Sequence, residues 1–379
     1  MRRLAGLGRK GVVSRSSLAA VRQKGRDLML YSGVSWGATG YEVEVLDHEG
    51  NHAAAPARFS VSETDAMIVY LRDLGGKAAH VVDSTNGLLD GRMMAAGLAV
   101  YRADPHVLPE RPLFGSVEAA DLARAAQRDL SALTLLERDR GTQTGREDDL
   151  EAGIAASTLA IDALTGAGRC LGAGTRDRLE VALTFDDGPN PPYTGQIMDV
   201  LEQYGIPATF FCIGLNAGGQ AEEISRMRDQ GHGLGNHTWS HPFLPELSRK
   251  QLEEQITRTG DTIAQAGGGA APTLFRPPYG SRTPDVTRWL GDLDSTIVLW
   301  DVDPSDWSMP GAGVIARTVL EQTRPGSIIL LHDGGGDRSQ TVAALPMIIE
   351  GLLARGYSFA LVDDLVTPTG RTVRAGNRI

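Results

Sequence analysis

Thr184-Phe185-Asp186-Asp187-Gly188-Pro189 follows the apolar-rich run Leu179-Glu180-Val181-Ala182-Leu183. The run reads as a buried strand, and Gly188-Pro189 stops it, because Pro cannot donate to a ladder and Gly bends freely. Two adjacent carboxylates therefore sit at the carboxyl end of a strand, where active-site groups collect in α/β folds. Two like charges in one pocket are unfavourable unless one binds a cation or takes up a proton. Read alone, the hexapeptide is most simply an Asp-Asp-Gly turn. The segments around it decide otherwise.

From residue 176 to about 370, strand and helix signals alternate regularly. Strands are expected near 181–185, 208–213, 233–236, 273–276, 296–300, 327–331 and 358–362. Helices are expected over 194–204, 220–230, 249–266, 283–290, 314–322 and 342–354. This alternation favours a parallel barrel or a doubly wound sheet. A barrel is preferred, because chemically equipped residues fall at the ends of several strands rather than at one switch point.

After the third of these strands comes Asn236-His237-Thr238-Trp239-Ser240-His241-Pro242. His-x-x-x-His is read as two imidazoles on one helical turn, with Asp187 completing a facial set. Two His and one carboxylate suit Zn²⁺, with further positions open to water and substrate. The plain alternative is a pair of surface histidines. Arg276-Pro277-Pro278-Tyr279-Gly280 follows the fourth strand; its stiff prolines suit a fixed wall and a peptide N–H aimed at an oxyanion. Arg276 is suited to pair with a carboxylate. Trp300-Asp301-Val302-Asp303-Pro304-Ser305-Asp306-Trp307 ends the fifth strand with three acids and two aromatic faces, such as sugar rings stack on. Ile328-Ile329-Leu330-Leu331-His332-Asp333-Gly334 is an apolar strand ending in His-Asp. Each segment alone has an ordinary structural explanation. Five at one barrel face point to a metal hydrolase.

These five segments, in this order, resemble the five motifs of the polysaccharide deacetylase family, also called NodB-homology domains or carbohydrate esterase family four. The resemblance spans about residues 178–365. It implies a distorted (β/α)₇ barrel and metal-dependent removal of N-acetyl, or sometimes O-acetyl, groups from sugars. By motif match it makes Asp187, His237 and His241 the metal ligands, Asp186 the general base and His332 the general acid. It further implies that Arg276 orients the base, that Asp303 tunes the catalytic His, and that Tyr279 supplies the oxyanion N–H. Trp307 and Leu330 resemble the lining of the acetyl pocket, with Pro277 beside them. The cofactor is one divalent metal, Zn²⁺ first, with Co²⁺ or another transition metal as alternatives.

The amino-terminal half carries different signals. The first 26 residues hold eight Lys or Arg and no acid, with no apolar run of secretory length after them. A disordered basic tail over 1–27 and a cytoplasmic location are the expectations. Three strands near 28–34, 41–46 and 57–61 read as an antiparallel meander, followed by a helix, a strand at 80–83, a second helix and a strand at 98–101. That order is seen in ribonuclease-H-like domains. Gly33-Val34-Ser35-Trp36-Gly37 and Asp83-Ser84-Thr85-Asn86-Gly87 resemble the ribonuclease-H-like domain of some insertion-sequence transposases, over about residues 28–130. Such nucleases hold two metals with several carboxylates. The position of the family's first Asp is Ser35 here, which leaves Asp83 and Asp121 as remnants and disfavours nuclease activity.

This small α/β domain is bounded at about 28–115, and a helical connector with a Gly-rich linker at 116–175. Helical spacing recurs over 117–136 and 148–164, with a polar loop at 138–146 between. The net charge of −10 and pI near 5.3 argue against a broad nucleic-acid surface. Two cysteines, Cys170 and Cys212, are too few for a disulfide framework. The expected substrate is an acetylated amino sugar. Competing readings are a deacetylase of a small acetylated metabolite, a relict carbohydrate-binding scaffold, and a nucleic-acid enzyme run by the amino-terminal domain.

Overall fold

Strand β8, Glu180–Asp186, shows how the sequence builds the site. Val181, Leu183 and Phe185 point into a core shared with the flanking helices, whereas Ala182 belongs to the smaller cluster inside the sheet. The period of two therefore turns Thr184 and Asp186 to that inner side as well. In the computed structural model, which describes residues 29–74, 77–83, 89–136, 147–293 and 295–366, β8 lies between two parallel neighbours. These are β9, Thr209–Cys212, and β13, Ile328–His332. The register places His332 opposite Asp186, and Asp186 opposite Phe211.

The sheet continues through β10 (Gly233–Asn236), β11 (Leu274–Phe275) and β12 (Thr296–Val298) to β7 (Cys170–Leu171). All are parallel, so their carboxyl ends share one rim. The result is a curled parallel sheet. The seven expected strands are all there, with β14 (Ser358–Phe359) forking off β8, and the eighth is β7, which lies in the stretch assigned by sequence to the linker. The gap from the β12–β7 edge to β13 is spanned by an isolated Val302–Ile329 bridge, by Gly174 N donating to Gly326 O, and by the Asp301 carboxylate, which accepts from Ile328 N and Ser327 Oγ. Helix Arg249–Gly267 packs outside β10, started by a Ser248–Gln251 capping box and ended by left-handed Gly268.

The amino-terminal unit is a second sheet in the order β3-β2-β1-β4-β5-β6. β1 (Met29–Gly37), β2 (Gly40–Leu46) and β3 (Ala57–Ser60) are antiparallel; β4 (Lys77–Val82) and β5 (Ala99–Arg102) run parallel to β1. The boundary expected at 115 is too early. Helix Ala119–Arg128 packs against β1, where Gly33 alone gives its backbone room, and β6 (Thr134–Leu135) pairs with β5. The single helix expected over 117–136 ends at Arg128, because the Asp129 carboxylate captures Ser131 N and Oγ. The stretch read as 148–164 is two helices, Glu147–Ala156 and Thr158–Gly166, with the Ser157 hydroxyl donating back to Gly153 O at the break. The basic tail, the loop over 138–146 and residues 84–87 lie outside the described residues.

The units share a core. Ile213, Leu215 and Trp239 of the carboxyl-terminal half pack in one cluster with Leu30, Val34, Tyr41 and Met67 of the other. No helix among the described residues is long and apolar enough to cross a membrane.

Candidate metal centre and active site

Asp187 is the first residue past β8 and has a left-handed backbone, with φ 77°. Its carbonyl accepts from Asn216 Nδ2 at 2.7 Å, and Ile213 N donates to the next carbonyl, Gly188 O, at 3.0 Å. The carboxylate is turned toward two imidazoles. Oδ1 lies 3.2 Å from His241 Nε2 and 3.5 Å from His237 Nε2. All three side chains are buried, and their ligand atoms lie within 4.8 Å of one another.

Three observations fit this cluster to a cation. Asp187 Oδ1 is buried with no hydrogen-bond partner, an arrangement that costs free energy unless something else satisfies it. His237 Nδ1 lies 2.7 Å from Arg276 O, so a proton there leaves the Nε2 lone pair facing Asp187. Among the described residues no other group of three or more His, Cys, Asp or Glu side chains is close enough to share an ion. Burial alone would raise the Asp187 carboxyl, but His241 and His237 outweigh it and hold it well below the usual carboxylate range.

The expected helical turn between the histidines is absent. Thr238 and His241 have φ 68° and 55°, and the segment is a loop. Its N–H groups go to side chains instead: Thr238 N to Asn236 Oδ1, His241 N to Thr238 Oγ1, and Trp239 N and Ser240 N both to Gln255 Oε1. Such a backbone persists only where its surroundings over-determine it.

Asp186 is arranged differently from its neighbour. Its Oδ1 accepts from Arg276 Nη1 at 2.7 Å, and Oδ2 lies 3.7 Å from His237 Nε2. Arg276 is fully buried and held on several sides: it donates also to Thr184 Oγ1, Val298 O and Leu299 O, and lies over the Phe211 ring. Burial pulls the Arg276 guanidinium down, against the pull of Asp186.

His332 requires a correction. The carboxylate expected to tune it was Asp303; the one that does is Asp306. Asp306 Oδ1 lies 2.7 Å from His332 Nδ1, while its Oδ2 accepts from His332 N and Thr341 Oγ1. The reason is the left-handed turn at Ser305, φ 51°, which carries Asp306 inward, whereas Asp303 Oδ1 accepts from Ser305 N and stabilises the turn. Burial disfavours the imidazolium, but Asp306 outweighs this and raises His332 to about 9. Burial raises Asp303.

Tyr279 has φ 59° and sets its ring 4.4 Å from that of His241. Pro277 is buried just ahead of it. Leu330 is buried on β13, and Trp307 is 39% exposed on the turn after Asp306. Sequence reading missed Asn216, Gln255 and Arg338, whose side chains act on backbone carbonyls and N–H groups rather than through any motif. Arg338 Nε and Nη2 donate to Gly334 O and Gly335 O at 2.6 Å. Asp83 and Asp121 are engaged elsewhere. Asp83 receives Val117 N and faces Arg111, and Asp121 pairs with Arg124.

Residues 173–298 match the polysaccharide deacetylase family. A chitooligosaccharide deacetylase of Sinorhizobium fredii is 43% identical over 187 residues, covering 47% of this chain and 87% of the relative. A peptidoglycan-N-acetylglucosamine deacetylase of Bacillus cereus is 40% identical over 188 residues, covering 49% and 87%. A crystal structure of a peptidoglycan N-acetylglucosamine deacetylase in complex with an N-oxidanyl-benzamide superposes with a TM-score of 0.53 at 35% identity, covering 55% of this chain and 97% of that one. The matched residues carry the Asp187, His237 and His241 cluster and the Arg276–Asp186 pair. On sequence, fold and site together, the chain belongs to the polysaccharide deacetylase family.

Proposed function

We propose that the protein removes the acetyl group from an N-acetylglucosamine-containing oligomer, with Asp187, His237 and His241 holding one Zn²⁺. The observation that carries this is the division of labour between two adjacent carboxylates. One is committed to Arg276, and the other has a buried oxygen, without a hydrogen-bond partner, that faces two imidazoles. The relatives named above act on chitooligosaccharides and on peptidoglycan N-acetylglucosamine, which supports the substrate class. Co²⁺ is the next choice for the donor set.

When bound, the metal supplies Lewis acidity to the acetamide carbonyl and lowers the pKa of a water toward about 7. Asp186, oriented by Arg276, would take the proton of the attacking water as general base. The Tyr279 N–H is proposed to donate to the developing oxyanion, where one such donor is worth about 3–4 kcal/mol. His332, held as imidazolium by Asp306, gives its proton to the departing amine nitrogen. Pro277, Leu330 and Trp307 are proposed to wall the acetyl group. Acetate and a free amino sugar result.

Acetate release from chitin oligomers, peptidoglycan fragments and small acetamido compounds tests this, with zinc content measured alongside. Asp187→Ala should lose both zinc and turnover; stoichiometric zinc in that variant refutes the ligand set. Turnover confined to the small compounds would favour the metabolite reading.

The ribonuclease-H-like reading of the amino-terminal unit is supported by its strand order, three antiparallel strands and then two parallel ones. With Asp83 facing Arg111 and Asp121 paired with Arg124, a fold without nuclease chemistry is the proposal. Cleavage of labelled DNA with Mg²⁺ or Mn²⁺ would overturn it.

A further inference from the structure

The loop that carries His237 and His241 is held from outside as well as from within. Trp239, midway between the two histidines, is 5% exposed and sits in the mixed core of both units. Gly214 makes room for its indole, since a Cβ there would stand 2.5 Å from Trp239 Cε3. The ring meets Phe114 of the amino-terminal half edge-on, centroids 5.5 Å apart. Phe114 is itself wedged between Trp36, at 5.6 Å, and the Arg258 guanidinium, 4.2 Å above its face. Two polar ties hold the Phe114 segment in register. Arg111 pairs with Glu246 at 3.6 Å, just past His241, and Gln251 Nε2 donates to Pro112 O at 3.1 Å.

A second arm reaches the opposite side of the cluster. Helix Leu89–Ala95 sets Gly91 so close that a Cβ would stand 3.1 Å from Gly335 O and 3.3 Å from Gly336 Cα. Gly335 in turn abuts Asp187, whose Oδ2 would lie 2.6 Å from a Cβ added there.

From these contacts we infer that the amino-terminal unit is a positioning element of the metal centre, bracing the His237–His241 loop through Phe114 and the Asp187 side through Gly91. The inference rests on the metal-site reading above. A loop with left-handed Thr238 and His241 would relax without such support. Outer-shell partners of metal ligands typically control affinity by 10- to 100-fold.

The full-length protein, stripped and titrated with Zn²⁺ against a chelating indicator, tests this. Phe114→Ala should weaken Zn²⁺ by about tenfold or more, and Phe114→Tyr, which keeps the ring, should restore the wild-type constant. Gly91→Val, which removes no core side chain, should weaken Zn²⁺ through the second arm. Leu122→Ala, a buried truncation on the far face of the amino-terminal sheet, should lower the melting temperature and leave Zn²⁺ affinity unchanged. Wild-type affinity in both Phe114→Ala and Gly91→Val overturns the inference. So does an equal loss in Leu122→Ala, which would make the effect one of general stability. Failure of the wild-type chain to bind Zn²⁺ would instead remove the metal-site reading beneath it.

Discussion

At the scale of single residues, the contrast between His332 and Asp186 defines what the site can do. His332 is raised to about 9 by Asp306 after burial has pulled the other way. A folded-state value above the ordinary 6.5 of histidine means that the pair stabilises the fold fully below 6.5 and loses that contribution as pH rises through about 9. The same titration removes the proposed proton donor, so kcat/KM should fall on an alkaline limb near 9. In Asp306→Asn the limb should move down toward the ordinary histidine range near 6.5, which leaves about one-thirtieth of the protonated His332 at pH 8, so turnover there should drop by about 30-fold, read from acetate release against pH. A limb that stays near 9 in that variant would detach His332 from it. Asp186→Asn should keep stoichiometric zinc and lose about 10²–10⁴-fold in turnover, because it removes the base and leaves the ligand cluster intact.

At the scale of elements, the strand ends were readable because each carries an apolar run, a stop signal and a chemically unusual residue within a few positions. β8 and β13 are the clearest cases: Phe185 and Leu331 mark the buried strand, and Asp186 and His332 its rim. What escaped was set by contacts far apart in sequence. Two-residue strand β7 has no period to detect and exists because Ile297 N and Leu299 N donate to Arg169 O and Leu171 O. The His237–His241 spacing suggests a helix, but Gln255 and Asn236 draw off the N–H groups a helix would use. Asp303 and Asp306 are indistinguishable as acids in a turn until the left-handed Ser305 separates them. The joint between β8 and the next helix offers a direct test of such packing. A Cβ on Gly188 would fall inside the Asp333 carboxyl group, which accepts from Thr194 Oγ1 at 2.6 Å. Gly188→Ala should therefore cost about 1–3 kcal/mol by overpacking, measured by chemical denaturation, and should weaken zinc by displacing Asp187. An unchanged denaturation midpoint would show that the joint yields freely.

At the scale of the whole molecule, two sheets of different topology behave as one body if their shared core is large against the stability of either. Ile213, Leu215 and Trp239 are 0–5% exposed, and all three pack in the cluster built mainly by the amino-terminal sheet. Burying a large apolar side chain is worth about 1.5–3 kcal/mol, so unfolding the amino-terminal unit alone would forfeit at most about 5–9 kcal/mol from these three. That is comparable with the entire stability of an ordinary domain. It would also release the Phe114–Trp239 contact and the Arg111–Glu246 pair. A partly unfolded form is therefore disfavoured, and calorimetry should show a single transition whose calorimetric and van't Hoff enthalpies agree. Excess Zn²⁺ should move that transition upward as a whole, by about 2.7 kcal/mol at a hundred times its dissociation constant, because the ion binds only the folded loop pair. Two resolved transitions, with Zn²⁺ shifting only one of them, would mean that the sheets melt independently, and the coupling drawn from their common core would not hold.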